Sequence, residues 1–182
     1  MNTPNKLTIL RIILVPVFMA FLMADSSMFQ LVAMIVFIAA SVTDWLAGYL
    51  ARKNNQITSF GKFMDPLADK MLTTAAFLGL MHYGYVSAWA LVIILAREFM
   101  VSGIRMAAAE RGVVIAASMW GKFKTVAQMV TIIASILLIS IPLMPVGVTH
   151  VVISVMVWVS TGLTLISGID YLVKNRGCLK ME

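Results

Sequence analysis

Three aspartates sit at fixed offsets in this chain. They lie in the run Asp44-Trp-Leu-Ala47-Gly48-Tyr-Leu-Ala51-Arg52, then eight residues, then Gly61-Lys-Phe-Met-Asp65-Pro-Leu-Ala-Asp69. Asp65 and Asp69 are four residues apart, so on a helix they share one face, about 6 Å apart along the axis. Carboxylates gathered in this way repel one another and lose hydration unless a positive partner sits among them. A hard divalent cation held through oxygen, Mg2+ or Mn2+, is the natural partner. Gly48 and Gly61 lack side chains where the phosphates or base of a ligand would need close backbone approach.

Composition determines what kind of element must carry these residues. Of 182 residues, 61% are hydrophobic and 12% charged, and the mean hydropathy is +0.96. A soluble domain carries about 25% charged residues, so the chain reads as an all-α, polytopic membrane protein. Apolar runs of about 20 residues predict six transmembrane helices, near 7–24, 29–52, 61–82, 87–109, 122–141 and 147–173. Turn and charge signals separate them: Asp25-Ser-Ser, Lys53-Asn-Asn-Gln, Tyr83-Gly-Tyr, Glu110-Arg-Gly and Pro142 to Gly147. No connection is long enough for a second domain, so residues 1–182 are expected to form one. The first run has few basic residues and no small-residue cleavage site after it, and is read as a retained helix rather than a signal peptide. A short amphipathic segment around Thr3 to Thr8 is expected to lie on the membrane surface.

Lysine and arginine set the orientation. Lys6, Arg11, Arg52, Lys53, Lys62, Arg105, Arg111, Lys122, Lys124, Lys174, Arg176 and Lys180 fall at the N-terminus, the second and fourth connections and the C-terminus. The opposite loops hold Asp25, His82 and His150 but neither lysine nor arginine. The positive-inside rule then places both termini in the cytoplasm, in a cell (inner) membrane, with the acids on the cytoplasmic side. A formal charge of +6 fits anchoring to anionic lipid and gives no reason to invoke nucleic acid. A single cysteine, Cys178, excludes an intrachain disulfide and argues against a cysteine metal site. His82 and His150, in short predicted loops, read as solvated rather than as metal ligands.

Charges at membrane depth cost at least about 2.5–3.5 kcal/mol each on insertion scales and by default mark a functional site. Close helix packing would account for Ala47, Gly48 and Ala51, and a helix entry for Asp65-Pro66. Neither accounts for three acids in one register. A short loop makes the second and third helices antiparallel neighbours, which brings the three carboxylates to one depth. Arg97 and Glu98, near the middle of the fourth helix, must face protein or a wet cavity. Arg97 and Glu98 are expected to be paired, with neighbouring residues or with Lys70 or Asp170; Glu98 reads as part of a structural ion pair, and Arg97 can also help hold a phosphate. Asp170 reads as a partner of Lys174 at i+4.

The spacing resembles the signature of the CDP-alcohol phosphotransferase family, Asp-x2-Asp-Gly-x2-Ala-Arg-x8-Gly-x3-Asp-x3-Asp, at every fixed position except Ala47. That resemblance implies transfer of a phosphatidyl-type group from a CDP-linked donor to an alcohol, with release of CMP. It also implies a two-metal site with Asp44, Asp65 and Asp69 as ligands and Asp69 as general base. Gly48, Arg52, Thr58 and Gly61 would line the CDP site. Further stretches are similar to the bacterial branch that makes phosphatidylglycerophosphate: Pro4-Asn-Lys-Leu-Thr8-Ile-Leu-Arg11, Ala96-Arg-Glu-Phe-Met-Val-Ser-Gly103-Ile-Arg105 and Gly121-Lys-Phe-Lys124-Thr125. The implied substrates are CDP-diacylglycerol and sn-glycerol 3-phosphate, whose dianionic phosphate suits Arg105, Arg111, Lys122, Lys124 and Arg97. The family also suggests a homodimer among membrane lipids.

Ala47 stands where the family pattern has its second aspartate. Three carboxylates against two divalent ions leave one positive charge uncompensated before the substrate is counted. The expectation is an otherwise competent enzyme in which this one position impairs turnover. Three other readings stay open. A sister enzyme would use inositol phosphate, serine or another alcohol, and a non-catalytic relative would only bind lipid. A transporter would spread its acids through the bilayer and show an internal repeat, and none is visible here.

Overall fold

The protein is described by a computed structural model covering residues 3–53, 59–110 and 118–176, together with Gly112 and Ile115. Six helices follow one another: α1 (Thr3–Leu22), α2 (Ser27–Lys53), α3 (Ser59–His82), α4 (Ala88–Glu110), α5 (Met119–Ser140) and α6 (Val146–Lys174). No strand occurs among the described residues. Each coincides with one predicted apolar run. Four of them (α1, α2, α5 and α6) are long and apolar enough to cross a membrane. The other two, α3 and α4, carry charged residues such as Asp69, Lys70, Arg97 and Glu98, which lowers their hydropathy without shortening them.

Local chemistry explains where the helices stop. Gly84 adopts φ 78° after α3; its N–H donates to the Met81 carbonyl and that of Tyr85 to the Leu80 carbonyl, at 2.9 and 3.0 Å. This is the left-handed glycine cap that satisfies a helix's last carbonyls. Ser118 caps α5, its hydroxyl accepting from the Gly121 N–H at 3.2 Å. Ile141, ahead of Pro142, is extended because proline disfavours helical geometry in the residue before it.

Two expectations need correction. Thr3 to Thr8 do not form a separate surface segment; they are the opening turns of α1, and Asn5 and Thr8 are buried. Nor are His82 and His150 in loops: His82 is the last residue of α3. Because α6 starts at Val146, His150 falls in its second turn, donates a ring N–H to the Gly84 carbonyl at 3.1 Å and lies against Tyr85.

The core draws on all six helices, around Phe18, Phe37, Phe77, Leu80, Leu91, Ile94, Ile132, Ile136, Ile153 and Val157. Phe18 and Phe37 pack ring to ring at 5.7 Å. α1 packs extensively on both α2 and α3, which touch each other only sparingly. The two acid-bearing helices are therefore joined mainly through α1. Between α5 and α6 runs a buried polar seam, with Gln128 donating to Thr164 at 3.2 Å and Thr131 to the Met156 carbonyl at 3.4 Å. Small and hydroxyl-bearing residues allow this close approach in lipid, where apolar side chains gain nothing by leaving the bilayer. Trp89, Val92, Val130, Val155 and Trp158 point outward, as a lipid-facing surface requires. Replacing Phe37 with alanine should cost about 3–5 kcal/mol and markedly lower the thermal unfolding midpoint in detergent. Val155→Ala, on the outer surface, should leave that midpoint nearly unchanged.

Candidate active site

Two charged constellations lie toward the same end of the helix bundle. In the first, Arg11 of α1 is 1% exposed and its guanidinium lies 2.5 Å from an Asp44 carboxylate oxygen on α2. Ala47, one turn further along α2, is buried and offers no donor atom. Gly48 is partly buried and Gly61 buried. Arg11 is also within electrostatic range of Asp69 on α3. Arg11 thus relates the first and last acids of the motif, which α1 wedges together. Sequence reasoning had placed Arg11 among the cytoplasmic flanking cations. The signal that could have identified it was its position well inside an apolar helix.

The second constellation is a cleft of about 440 Å³ between α3, α4 and α5. Five cations line it (Lys70, Arg97, Arg105, Lys122 and Lys124) against two carboxylates, Asp69 and Glu98, an excess of three positive charges. Glu98 is the hub of the cleft. Its carboxylate accepts from Lys70 at 2.9 Å and from Arg97 at 3.3 Å, and it pairs with Lys124. The four side chains are all largely removed from solvent. Of the partners the sequence offers, Lys70 pairs with Glu98, joined by two further cations, while Asp170 pairs with Lys174 instead. Asp69, by contrast, is exposed at the cleft and has no ion-pair partner among the described residues.

Arg97 is held by a pocket that sequence reasoning missed. Its guanidinium donates to the Ser167 hydroxyl at 2.6 Å, and its stem lies over Gly168, where an added Cβ would meet Arg97 Cγ at 3.0 Å. Arg105 is exposed, with its guanidinium 5.6 Å from the Tyr171 ring centre, a cation–π arrangement. Lys122 is exposed at the rim and Lys124 buried at the floor. Asp170 pairs with Lys174 at 2.7 Å, as the i+4 spacing predicts. Thr58 and Arg111 lie outside the described residues, as do the side chains of Arg52 and Asp65.

Among the described residues no three metal-ligating side chains converge. The donors that α2 and α3 do carry there, Asp44 and Asp69, are hard carboxylate oxygens, and this fits a divalent cation such as Mg2+ or Mn2+. A roomier groove, about 530 Å³, runs along α6 from His150 to Val159. It is mostly apolar surface on one helix and holds neither a carboxylate nor a cation, so the chemistry belongs to the charged cleft.

Residues 1–166 match the family described as CDP-alcohol phosphatidyltransferase. A Bacillus subtilis (strain 168) protein named CDP-diacylglycerol–glycerol-3-phosphate 3-phosphatidyltransferase is 42% identical over 191 residues, covering 98% of this chain and 97% of the relative. A Rickettsia typhi protein of the same name is 37% identical, covering 93% of this chain and 94% of its own. A Mycobacterium tuberculosis protein named probable phosphatidylglycerophosphate synthase is 40% identical, covering 95% of this chain and 81% of its own.

Hydrogen bonds to charged groups contribute about 1.5–3 kcal/mol. Ser167→Ala, which removes the oxygen that accepts from Arg97, should lower stability by about that amount. Ser160→Ala should be neutral or stabilising, because that buried hydroxyl has no hydrogen-bond partner among the described residues. Thermal unfolding of the two variants in detergent distinguishes the cases.

Proposed function

The chain belongs to the CDP-alcohol phosphatidyltransferase family, and on that premise we propose that it transfers the phosphatidyl group of CDP-diacylglycerol to sn-glycerol 3-phosphate. The products are phosphatidylglycerophosphate and CMP. The observation that supports this acceptor is the excess of three positive charges in the cleft that Asp69 borders. A phosphorylated acceptor brings two negative charges near neutral pH; a neutral alcohol would leave those cations without a role.

Arg105 and Lys122, exposed in the cleft, are placed to bind the acceptor phosphate, while Arg97 and Lys124 add charge behind them. Arg111 is assigned to the same role from the sequence. Asp69 takes the proton of the acceptor hydroxyl onto its carboxylate. That hydroxyl oxygen forms the new bond to the lipid-bearing phosphorus as the bond to CMP breaks. Gly48, Arg52, Thr58 and Gly61 are assigned to the CDP moiety. Asp44, Asp65 and Asp69 would hold two divalent ions, Mg2+ or Mn2+, which when bound polarise phosphoryl oxygens and stabilise the departing CMP. The ammonium and guanidinium groups do not replace that Lewis acidity; they orient the acceptor.

The site faces the cytoplasm of a cell (inner) membrane, six helices span the bilayer, and the chain works as a homodimer. Its donor reaches the site from the surrounding membrane lipids. Ala47 impairs turnover, because it replaces a carboxylate on the same helix face as Asp44. Losing a direct ligand should exceed the 10–100-fold effect typical of its supporting partners. The same observation favours one second reading, a non-catalytic member that retains the donor lipid.

CMP release settles these points. With CDP-diacylglycerol and Mg2+ or Mn2+, the unmodified chain should be nearly silent. Ala47→Asp should restore turnover with glycerol 3-phosphate but not with serine or inositol phosphate. Arg105→Ala or Lys122→Ala in that background should raise KM for glycerol 3-phosphate about tenfold or more, since a charged hydrogen bond is worth about 1.5–3 kcal/mol. Silence with every acceptor, combined with retained binding of the donor lipid, would favour the non-catalytic reading.

A further inference from the structure

The cleft contains two carboxylates in opposite circumstances. Glu98 draws three cations from three helices, Lys70 of α3, Arg97 of α4 and Lys124 of α5, while Asp69, one residue before Lys70, has no ion-pair partner among the described residues. Lys70 and Lys124 nevertheless lie within electrostatic range of Asp69. Amines on long flexible stems, largely removed from water, turn to whichever carboxylate they can reach. Their commitment to Glu98 is therefore what keeps them off Asp69. The geometry points to Glu98 as a positioning residue: it gathers Lys70, Arg97 and Lys124 onto one carboxylate and so leaves the carboxylate of Asp69 open to a cation or a proton. This rests on the reading of Asp69 as the reacting acid, and it assigns to the buried glutamate a part that neither metal nor substrate contact requires.

Three features make Glu98 suited to this. It is more enclosed than Asp69, so its pairs persist where solvent would screen an exposed one. It takes Lys70 on one oxygen, Oε2, and Arg97 and Lys124 on the other, Oε1, so both acceptor atoms are engaged. Arg97 is further tied to α6 through Ser167, and this anchors the hub from a fourth helix. Without the carboxylate, Lys70 and Lys124 would have Asp69 as the nearest remaining acid of the cleft. A pair formed there would withdraw Asp69 from the site without unfolding anything.

The test needs a readout besides turnover, and Mn2+ alone provides one. Free Mn2+ is followed by electron paramagnetic resonance as it is titrated into the full-length chain in detergent, in the Ala47→Asp background. Glu98→Gln should weaken Mn2+ binding about tenfold or more. Adding Lys70→Met to Glu98→Gln should recover at least a third of the lost affinity, although the double variant still lacks the glutamate. Glu98→Asp should bind within about threefold of its parent, and it keeps the test valid if Glu98→Gln fails to fold. Turnover should follow: in Glu98→Gln, kcat falls about tenfold while KM for glycerol 3-phosphate is unchanged or lower, because the cleft has become more positive.

Unaltered Mn2+ affinity in Glu98→Gln would overturn the inference. So would a loss that Lys70→Met leaves uncorrected, which would make Glu98 itself a ligand or a purely structural group. If Mn2+ binding and its rescue behave as stated but no acceptor yields CMP, the role of Glu98 stands and the proposed reaction fails.

Discussion

A carboxylate inside an apolar helix persists only where cations reach it, and Glu98 is reached by three. Each of these charges is costly to desolvate, and a buried pair returns little more stability than well-packed apolar groups of the same size. Folding alone is a weak reason to keep four ionised side chains together in a bundle of this composition. The arrangement does have a consequence that apolar packing could not produce. It ties α3, α4 and α5 together at one level, and through Arg97 and Ser167 it adds α6. A rigid, strongly positive cleft results at the point where those helices meet.

The opposite side of the site depends on α1. Arg11 extends from an otherwise apolar helix to Asp44, and α1 lies against both α2 and α3 while these two touch only sparingly. The first helix is thus more than a membrane anchor. It lies between the helices that carry the acids of the motif and supplies a cation to the first of them. Ala47 is buried one turn beyond Asp44 on α2, so the position that departs from the family pattern lies next to the first acid of the motif.

Away from the site, lipid governs the sequence. The exposed residues along α2, α4, α5 and α6 are large and apolar, and the polar seam between α5 and α6 is built of small hydroxyl-bearing residues that close on one another. Both follow from a solvent that cannot satisfy a backbone or side-chain polar group. The same rule explains why the described charges within the helices occur in groups.

The sequence by itself determined the six helices, their limits to within a few residues, the acidic motif and the family. Apolar runs as long as a bilayer is thick and carboxylates at fixed offsets are local properties, readable along one strand of text. The pairs of Asp170 with Lys174 and of Glu98 with Lys70 were legible for the same reason, the first from helical spacing and the second from the scarcity of partners at that depth. The tertiary structure alone decided that Arg11 leaves the flank for the interior, that Lys124 joins Glu98, and that Ser167 and Gly168 make room for Arg97. It also decided that His150 closes on the Gly84 carbonyl. These depend on which helix faces which. That choice is made by side chains far apart in sequence that compete for the same buried space, and no spacing within a single helix records it.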